Sequence, residues 1–207
     1  MTKRIVIVDV GLGNLRSVAK AVESAAQGQG GEVVRSADPD VVRRADRLVV
    51  PGQGEFGNLA DRFDEHGLTD AIRERLQAGT PYLGICLGLQ ILFEGSEEAP
   101  GKRGLGWFRG QVRRLVGGPG IKIPHMGWNQ LELANGGHAL LPEREWFYFV
   151  HSYHAVPDEP DVVRAVSNYG DNRVTAAVYR DQVVATQFHP EKSQAAGLTL
   201  LTRFLEG

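Results

Sequence analysis

Gly84-Ile85-Cys86-Leu87-Gly88 ends one apolar run and opens a second one with helical spacing, and it contains the only cysteine of the 207 residues. The spacing Gly-x-Cys-x-Gly is the thiol version of a nucleophile elbow, a strand-to-helix turn so tight that small residues must flank the reactive side chain. Free N–H groups and the dipole at a helix start favour thiolate, the form that attacks carbonyl carbon. The pattern predicts that Cys86 is a nucleophile that faces solvent. A lone cysteine is also often a small buried hydrophobe, but the flanking glycines and the preceding strand favour the nucleophile.

The segments around this turn alternate between strand-like and helical patterns. Such alternation predicts an α/β fold with an open, mostly parallel central sheet flanked by helices. Shorter strand-like runs in the second half, separated by Gly, Pro, Asn or Asp, predict antiparallel additions to that sheet. The predicted strands are 5–9, 32–35, 47–50, 82–85, 107–116, 129–133, 146–150, 162–166, 175–179 and 183–187, and the predicted helices are 14–26, 68–77, 87–93 and 193–205.

Composition narrows the class of protein further. With 42% hydrophobic and 23% charged residues, we expect residues 1–207 to form a single globular domain. A formal charge of −2, from 23 basic and 25 acidic residues, gives no basic excess for binding nucleic acid. No apolar stretch reaches the ~18 residues of a membrane helix, so we expect a soluble, cytoplasmic protein. One cysteine excludes an internal disulfide, and six scattered histidines predict no metal site.

A cysteine nucleophile needs a base, and the base needs a group that orients it. His189 and Glu191, in His189-Pro190-Glu191, follow the predicted strand 183–187. The C-terminal ends of parallel strands carry the functional groups of open α/β sheets. With Pro190 stiffening the turn, the Glu191 carboxylate can reach the imidazole from the side facing away from the sulfur. The order Cys, His, Glu therefore predicts a catalytic triad.

Acyl transfer also needs N–H donors for the oxyanion of the tetrahedral intermediate. The N–H of Leu87, which follows the nucleophile, is the first candidate. Pro51-Gly52-Gln53-Gly54 follows another strand and could supply a second N–H, although an ordinary strand-ending turn explains this segment equally well. Gly11-Leu12-Gly13-Asn14 has Arg16 at the third position of the dinucleotide fingerprint, so we expect no nucleotide cofactor there.

These motifs together resemble the class I glutamine amidotransferases of the Cys-His-Glu type, over essentially the whole chain. Among them, the chain is most similar to the family of glutaminase subunits of imidazole glycerol phosphate synthase. The segments that carry the narrower resemblance are 9–18, 51–56, 148–153 and 189–193. The resemblance implies a flavodoxin-like fold, no cofactor, and a separate cyclase subunit of (β/α)8-barrel fold that receives the ammonia.

The resemblance also assigns roles to individual residues. It implies that Cys86 attacks the side-chain amide of glutamine, that His189 protonates the departing ammonia, and that Glu191 orients His189. The residues that it places in the oxyanion hole are Gly52, Gln53 and Leu87, those that hold glutamine are Gly54, Gln90, Ser152 and Tyr153, and those at the partner interface are Asn14, Trp128, Tyr148 and Lys192. Trp128 as a core residue and Lys192 as a solvated charge are the simpler alternatives.

The chain departs from the family pattern at two places. The family usually has an aromatic residue where Val10 stands, and Val-Gly-Ala where Gln53-Gly54-Glu55 stand. Two other functions stay open: a glutaminase of another pathway, such as vitamin B6 synthesis, and a catalytically silent regulatory subunit. From the family we also expect the isolated chain to be a poor glutaminase that is activated when the partner binds its ligand, because the backbone near Gly52 must turn an N–H inward.

Overall fold

The computed structural model describes residues 3–207, whose strands form one large sheet and two small ones. The helices are α1 (Leu15–Ala26), α2 (Pro39–Arg43), α3 (Phe56–Glu65), α4 (Leu68–Gln77), α5 (Leu87–Gln90) and α6 (Gln194–Glu206). The strands are β1 (Lys3–Val8), β2 (Gly31–Ser36), β3 (Arg47–Gly52), β4 (Tyr82–Cys86), β5 (Gly95–Ser96), β6 (Gly110–Arg114), β7 (His125–Gln130), β8 (Glu132–Leu133), β9 (Trp146–His151), β10 (Tyr153–Pro157), β11 (Val163–Tyr169), β12 (Asn172–Arg180) and β13 (Val183–Thr186). Short 3-10 helices lie at Pro160–Val162 and Pro190–Lys192.

The large sheet has the strand order β2-β1-β3-β4-β13-β12-β11-β8. Its first five strands are parallel, and the last three continue it in antiparallel pairing. The order of the parallel strands is that of the doubly wound, flavodoxin-like sheets. The predicted α/β class, with a mostly parallel sheet and antiparallel additions, is therefore confirmed. That residues 1–207 form a single domain stays a prediction.

The register of the parallel strands sets where the site lies. Gly52 at the end of β3 pairs with Cys86 at the end of β4, and Ile85 pairs with Thr186 at the end of β13. The C-terminal ends of three neighbouring strands therefore meet at one edge of the sheet. This is the edge where ligands bind in open α/β folds.

Both faces of the parallel part of the sheet are covered by helices. Side chains at alternate positions of β1 are buried on opposite faces of the sheet. Val6 and Val8 lie in the hydrophobic cluster that includes α3 and α4, whereas Ile5 and Ile7 lie in the hydrophobic cluster that includes α1 and α6. Each such side chain, removed from water, contributes about 1.5–3 kcal/mol to stability. Burial on both faces explains why these strands are continuous apolar runs in the sequence. Within residues 3–207, no helix is both long and apolar enough to cross a membrane.

The structure differs from the sequence prediction in detail. The helix predicted at 87–93 ends at Gln90, because the carbonyl groups of Ile91 and Leu92 accept the N–H groups of Leu105 and Phe108 instead of continuing the helix. The short α2 and the longer α3 were not predicted. Several second-half strands also pair outside the large sheet: β6 pairs with β10 and with β5, and β7 pairs with β9.

Candidate active site

Cys86 lies in a strained turn between β4 and α5. Its φ is 56°, in the left-handed region that non-glycine residues rarely adopt and that is often found at functional sites. The flanking glycines allow the turn, since a Cβ at Gly84 would overlap the carbonyl oxygen of Gly88, and a Cβ at Gly88 would overlap that of Val50. The hydroxyl of Tyr82 donates to the Gly88 carbonyl at 2.8 Å. The turn therefore has the geometry that the glycine spacing predicted.

The prediction that Cys86 faces solvent is wrong, because its side chain is only 6% exposed. It lines a cavity of about 380 Å³. Part of the wall comes from distant segments, including Pro124, Val150 and Lys192, which local spacing around the cysteine does not reveal. The cavity is large enough for a small polar substrate and shields the sulfur from bulk water.

The backbone of His189 is fixed between β9 and α6. Its N–H donates to the carbonyl oxygen of Tyr148 at 2.9 Å. The hydroxyl of Ser193 donates to the His189 carbonyl at 2.6 Å and accepts the N–H of Tyr148 at 3.0 Å. Helix α6 packs directly on the following turn, since a Cβ at Gly197 would overlap the carbonyl oxygen of Pro190. These contacts set the direction of the imidazole.

The side chains of His189 and Glu191 form a fully buried pair, 1% and 0% exposed, with Nδ1 2.8 Å from Oε1. Nε2 is thus the nitrogen left for Cys86, and it is buried without a hydrogen bond in residues 3–207. Burial by itself lowers the pKa of His189, but the Cys86 thiolate and then Glu191 outweigh it and raise this pKa to about 10. The arrangement therefore favours a protonated, positively charged imidazole beside Cys86.

Gln187 is a residue of this site that the sequence prediction did not include. It is fully buried, and its Nε2 donates to the Sγ atom of Cys86 at 3.5 Å. Its Oε1 accepts from Gln90 Nε2 at 3.0 Å, and the same amide of Gln90 donates to the Tyr153 carbonyl at 2.9 Å. The signal in the sequence was a polar residue at the end of the predicted strand 183–187. Gln187 therefore joins the sulfur to a chain of buried amides.

The predicted oxyanion residues lie next to the nucleophile. Gly52 packs so closely on the elbow that a Cβ there would lie 2.5 Å from the Cβ of Leu87. Leu87 is the first residue of α5, so its N–H has no intrahelical acceptor. The Oε1 atom of Gln53 accepts the N–H of Asn14 at 3.0 Å. The glutamine that departs from the family pattern therefore ties this segment to the start of α1.

The residues predicted to hold a substrate share the cavity of Cys86. Gly54, Gln90, Ser152 and Tyr153 all line it. The Nε2 atom of Gln90 donates within the buried chain of amides described above. Its remaining polar groups are those available to a ligand. Glu98, which was not predicted, also lines the cavity, and its Oε2 accepts the Phe56 N–H at 2.7 Å.

Three of the four predicted interface residues form one cluster beside the cavity. The Trp128 and Tyr148 rings meet edge to face at 6.2 Å between centroids, and the Lys192 ammonium lies 5.6 Å from the Tyr148 ring. Trp128 is 43% exposed, which contradicts its alternative as a core residue. Asn14 is the N-cap of α1, where it accepts the N–H of Ser17, and it lines a small pocket with His189 and Glu191.

The β7–β9 pair presents an apolar face outward. Trp128 pairs with Tyr148 and Met126 pairs with Val150, so these side chains share one face by their alternation along the strands. Met126 is 62% exposed and Trp146, on the same face, is 51% exposed. Exposed apolar side chains grouped in this way mark interaction surfaces. We call this surface the hairpin face.

The opposite side of the same strands carries a buried histidine pair. His125 Nδ1 lies 3.0 Å from His151 Nε2, and His151 Nδ1 lies 2.9 Å from the Tyr153 carbonyl oxygen. Burial lowers the pKa of His125 to about 4 and, together with His125, that of His151 to about 3. Both rings are therefore neutral at neutral pH, with His125 Nδ1–H donating to His151 Nε2 and His151 Nδ1–H donating to the Tyr153 carbonyl.

The residues described, 3–207, include no group of three or more His, Cys, Asp or Glu side chains that could hold a metal ion.

Sequence comparison places the chain among known proteins. A family model for glutamine amidotransferase class-I matches residues 6–206. The imidazole glycerol phosphate synthase subunit HisH of Synechococcus elongatus is 44% identical over 207 residues, covering 99% of this chain and 93% of that protein. The subunit HisH of Aquifex aeolicus is 48% identical over 203 residues, covering 97% and 95%.

Solved structures agree with this placement at the level of the fold. A glutamine amidotransferase matches with a TM-score of 0.73 at 23% identity, covering 98% of this chain and 97% of that one. PurLQS from Thermotoga maritima matches with a TM-score of 0.73 at 19% identity, covering 100% and 98%. Because the family model matches residues 6–206 and two HisH subunits are 44% and 48% identical over nearly the full chain, the chain belongs to the class I glutamine amidotransferases and, within them, to the HisH subunits of imidazole glycerol phosphate synthase.

Proposed function

We propose that this chain is a glutaminase that supplies ammonia to a cyclase partner in imidazole glycerol phosphate synthase, and so acts in histidine biosynthesis. The observation that carries the proposal is the buried His189–Glu191 pair beside Cys86, in one cavity of about 380 Å³. The 44–48% identity to HisH subunits supports the choice of pathway. The reaction uses no cofactor, and the proposed location is the cytoplasm.

In the first half of the reaction, the Cys86 thiolate attacks the side-chain carbonyl carbon of glutamine. A C–S bond forms and the carbonyl electron pair moves to oxygen. When this pair returns, the C–N bond breaks, and His189 Nε2–H gives its proton to the departing nitrogen. Ammonia leaves, and a glutamyl thioester stays on Cys86. Because Nδ1 is held by Glu191, Nε2 is the nitrogen that performs this transfer.

In the second half, the now neutral His189 takes a proton from water, and the hydroxide attacks the thioester. The tetrahedral intermediate collapses with cleavage of the C–S bond, which returns the Cys86 thiolate and releases glutamate. The proton remains on His189, so the enzyme regains its starting state. Each turnover consumes glutamine and water and yields glutamate and ammonia.

The oxyanion of both intermediates is stabilised by the N–H of Leu87 and by a backbone N–H at Gly52 or Gln53. One such donor contributes roughly 3 kcal/mol to transition-state stability. The tight packing of Gly52 against Leu87 supports this assignment, because it keeps the two backbone segments within reach of one oxygen. The substrate is held by Gly54, Gln90, Ser152 and Tyr153, which line the same cavity.

The hairpin face supports the proposal of a partner. Its exposed aromatic residues, Trp128 and Tyr148, adjoin Lys192, which also lines the cavity. A (β/α)8-barrel cyclase seated on this face and on Asn14 receives ammonia directly. Channelling matters because ammonia released into neutral water becomes ammonium, which is not a nucleophile.

The test is ammonia release from glutamine by this chain mixed with a barrel cyclase subunit, with and without the ribulosyl phosphate ligand of the cyclase. We expect ligand-stimulated release that disappears in Cys86→Ala. Ammonia release that does not depend on the partner or its ligand would support a glutaminase, but one of another pathway, such as vitamin B6 synthesis. No release from an intact complex would mean a silent regulatory subunit.

A further inference from the structure

A second cleft, of about 210 Å³, lies at the opposite end of the sheet from Cys86. It lies where the parallel strands begin, since Arg47 opens β3, Pro81 precedes β4 and Gln182 precedes β13. The end of α6 contributes Arg203 and Phe204. A single water needs only ~10–15 Å³, so the cleft has room for a small organic molecule. Glutamine hydrolysis uses none of its residues.

Arg47 is the unusual residue of this cleft. It is only 4% exposed, yet its guanidinium makes no hydrogen bond or salt bridge within residues 3–207, and its Nε is buried without a partner. The nearest acid along the chain, Asp46, accepts the N–H of Arg4 through Oδ2 and forms no salt bridge with Arg47. The guanidinium carbon instead lies 5.8 Å from the centre of the Phe204 ring. Burial lowers the pKa of Arg47, and the charge of Asp46 offsets this only in part, so the position favours a further anion.

Two further arginines lack an acidic partner nearby. Arg203 Nη1 donates to the Ala139 carbonyl oxygen at 3.0 Å, and the side chain forms no salt bridge within the part of the chain that the structure describes. Arg164 lies 5.8 Å from the Tyr179 ring, which lines the cleft, and likewise forms no salt bridge there. No Asp or Glu is among the described residues that line the cleft. The charged side chains among these lining residues are therefore all basic.

His138 adds a neutral donor at the rim. Its Nδ1 accepts the N–H of Leu140 at 3.3 Å, so Nε2 carries the proton and is free to donate. The ring lies 4.0 Å from that of Tyr179. Burial and then Arg164 lower the pKa of His138, so the ring stays neutral at neutral pH. The polar groups thus lie beside aromatic walls from Tyr179 and Phe204.

We propose that this cleft binds a small molecule with an oxyanion head group, a carboxylate or a phosphate, on an apolar body. Arg47 and Arg203 bind the oxyanion, because the guanidinium fork matches the spacing of two oxygens on one carbon or phosphorus. His138 Nε2–H donates to a further oxygen. Tyr179 and Phe204 contact the apolar body. The site is separate from glutamine hydrolysis, so binding tests it without reference to activity.

The experiment is calorimetric titration of the full chain with phenyl phosphate, with benzoate and with neutral benzyl alcohol. We expect saturable binding, at roughly millimolar dissociation constants, of at least one anion and not of the alcohol. The preferred anion identifies the head group. In Arg203→Gln, whose exposed side chain can be changed without disturbing the core, we expect binding to weaken about tenfold, the effect of losing one charged hydrogen-bond donor.

The matched control is Arg35→Gln, an exposed arginine on β2 outside the cleft, which should bind like the parent chain. Arg47→Gln should abolish binding, with circular dichroism to verify that it folds. The proposal fails if neither anion binds saturably, if benzyl alcohol binds as tightly as the anions, or if Arg203→Gln and Arg35→Gln behave alike. The comparison of Arg203→Gln with Arg35→Gln does not depend on whether Arg47→Gln folds. The proposal therefore stays testable even if Arg47→Gln is unstable.

Discussion

Replacing Glu191 with glutamine keeps the size of the side chain and removes one negative charge from the His189 imidazole. The two side chains are 0% and 1% exposed, and Oε1 lies 2.8 Å from Nδ1, so solvent screens their interaction little. The other carboxylate oxygen, Oε2, has no partner within residues 3–207. The amide NH₂ group of the variant can therefore take the Oε2 position while its oxygen still accepts Nδ1–H. The tautomer of His189 is preserved, and the variant tests the charge alone.

A hydrogen bond to a charged group contributes about 1.5–3 kcal/mol. In Glu191→Gln this loss falls on the imidazolium that protonates the leaving ammonia, so we expect kcat to fall about ten- to hundredfold. A loss nearer to 10⁴-fold is the known result where an amide also forces the wrong tautomer. The assay is glutamine-dependent ammonia release in the complex with the cyclase subunit. Glu23→Gln, an exposed glutamate on α1, is the matched control.

The pH dependence gives a second, independent readout. Burial opposes the charge on His189, but the Cys86 thiolate and Glu191 raise its pKa to about 10 in the folded chain, above the ~6.5 of an unfolded histidine. The stability from this charge is fully present below ~6.5 and is lost as the pH rises through about 10. Removing the Glu191 charge lowers the folded pKa, so the alkaline limb of kcat moves to lower pH. An alkaline limb at the same pH in Glu191→Gln and in Glu23→Gln would refute the reasoning.

Three other substitutions test the site and the hairpin face. Gly88→Ala places a methyl group on the carbonyl of Val50, so we expect the free energy of unfolding to fall by about 3 kcal/mol or more. The control is Gly118→Ala, whose position has open space and where we expect little change. Denaturant titration compares the two variants. Gln187→Leu removes the amide donor to the nucleophile's sulfur, so kcat should fall about ten- to hundredfold while circular dichroism stays unchanged; full activity would exclude a role for that amide. Trp128→Ala should weaken cyclase binding by about 2 kcal/mol, roughly thirtyfold, without loss of fold, and calorimetry that gives an unchanged dissociation constant would show that the partner binds elsewhere.

The sequence predicted the parts of the site that depend on local pattern. The elbow around Cys86 and the turn of His189 could be identified because glycine spacing and an apolar strand fix the backbone over a few residues. The burial of Cys86 could not, because its cover comes from loops far away in sequence. The contact of Gln187 with Cys86 spans 101 positions, and that of Asn14 with Gln53 spans 39, so no local pattern reports them.

The same distinction holds for the fold. The strands buried on both faces read as apolar runs and were predicted close to their positions. The second half was harder, because several of its strands pair outside the large sheet, with partners chosen by the tertiary packing that also creates the hairpin face. Helix α5 ended early for the same reason, since the carbonyl of Ile91 is taken by Leu105.

The hydroxyl of Ser193 connects Tyr148 on the hairpin face with His189 in the active site. It accepts the N–H of Tyr148, on the face proposed to meet the cyclase, and donates to the carbonyl of His189, which in turn gives its own N–H to Tyr148. The backbone of His189, the proposed general acid, is thereby hydrogen-bonded to β9, the strand proposed to meet the cyclase. We expect a displacement of β9 by an arriving subunit to be transmitted to the imidazole through these three hydrogen bonds, so docking and the alignment of proton transfer are coupled.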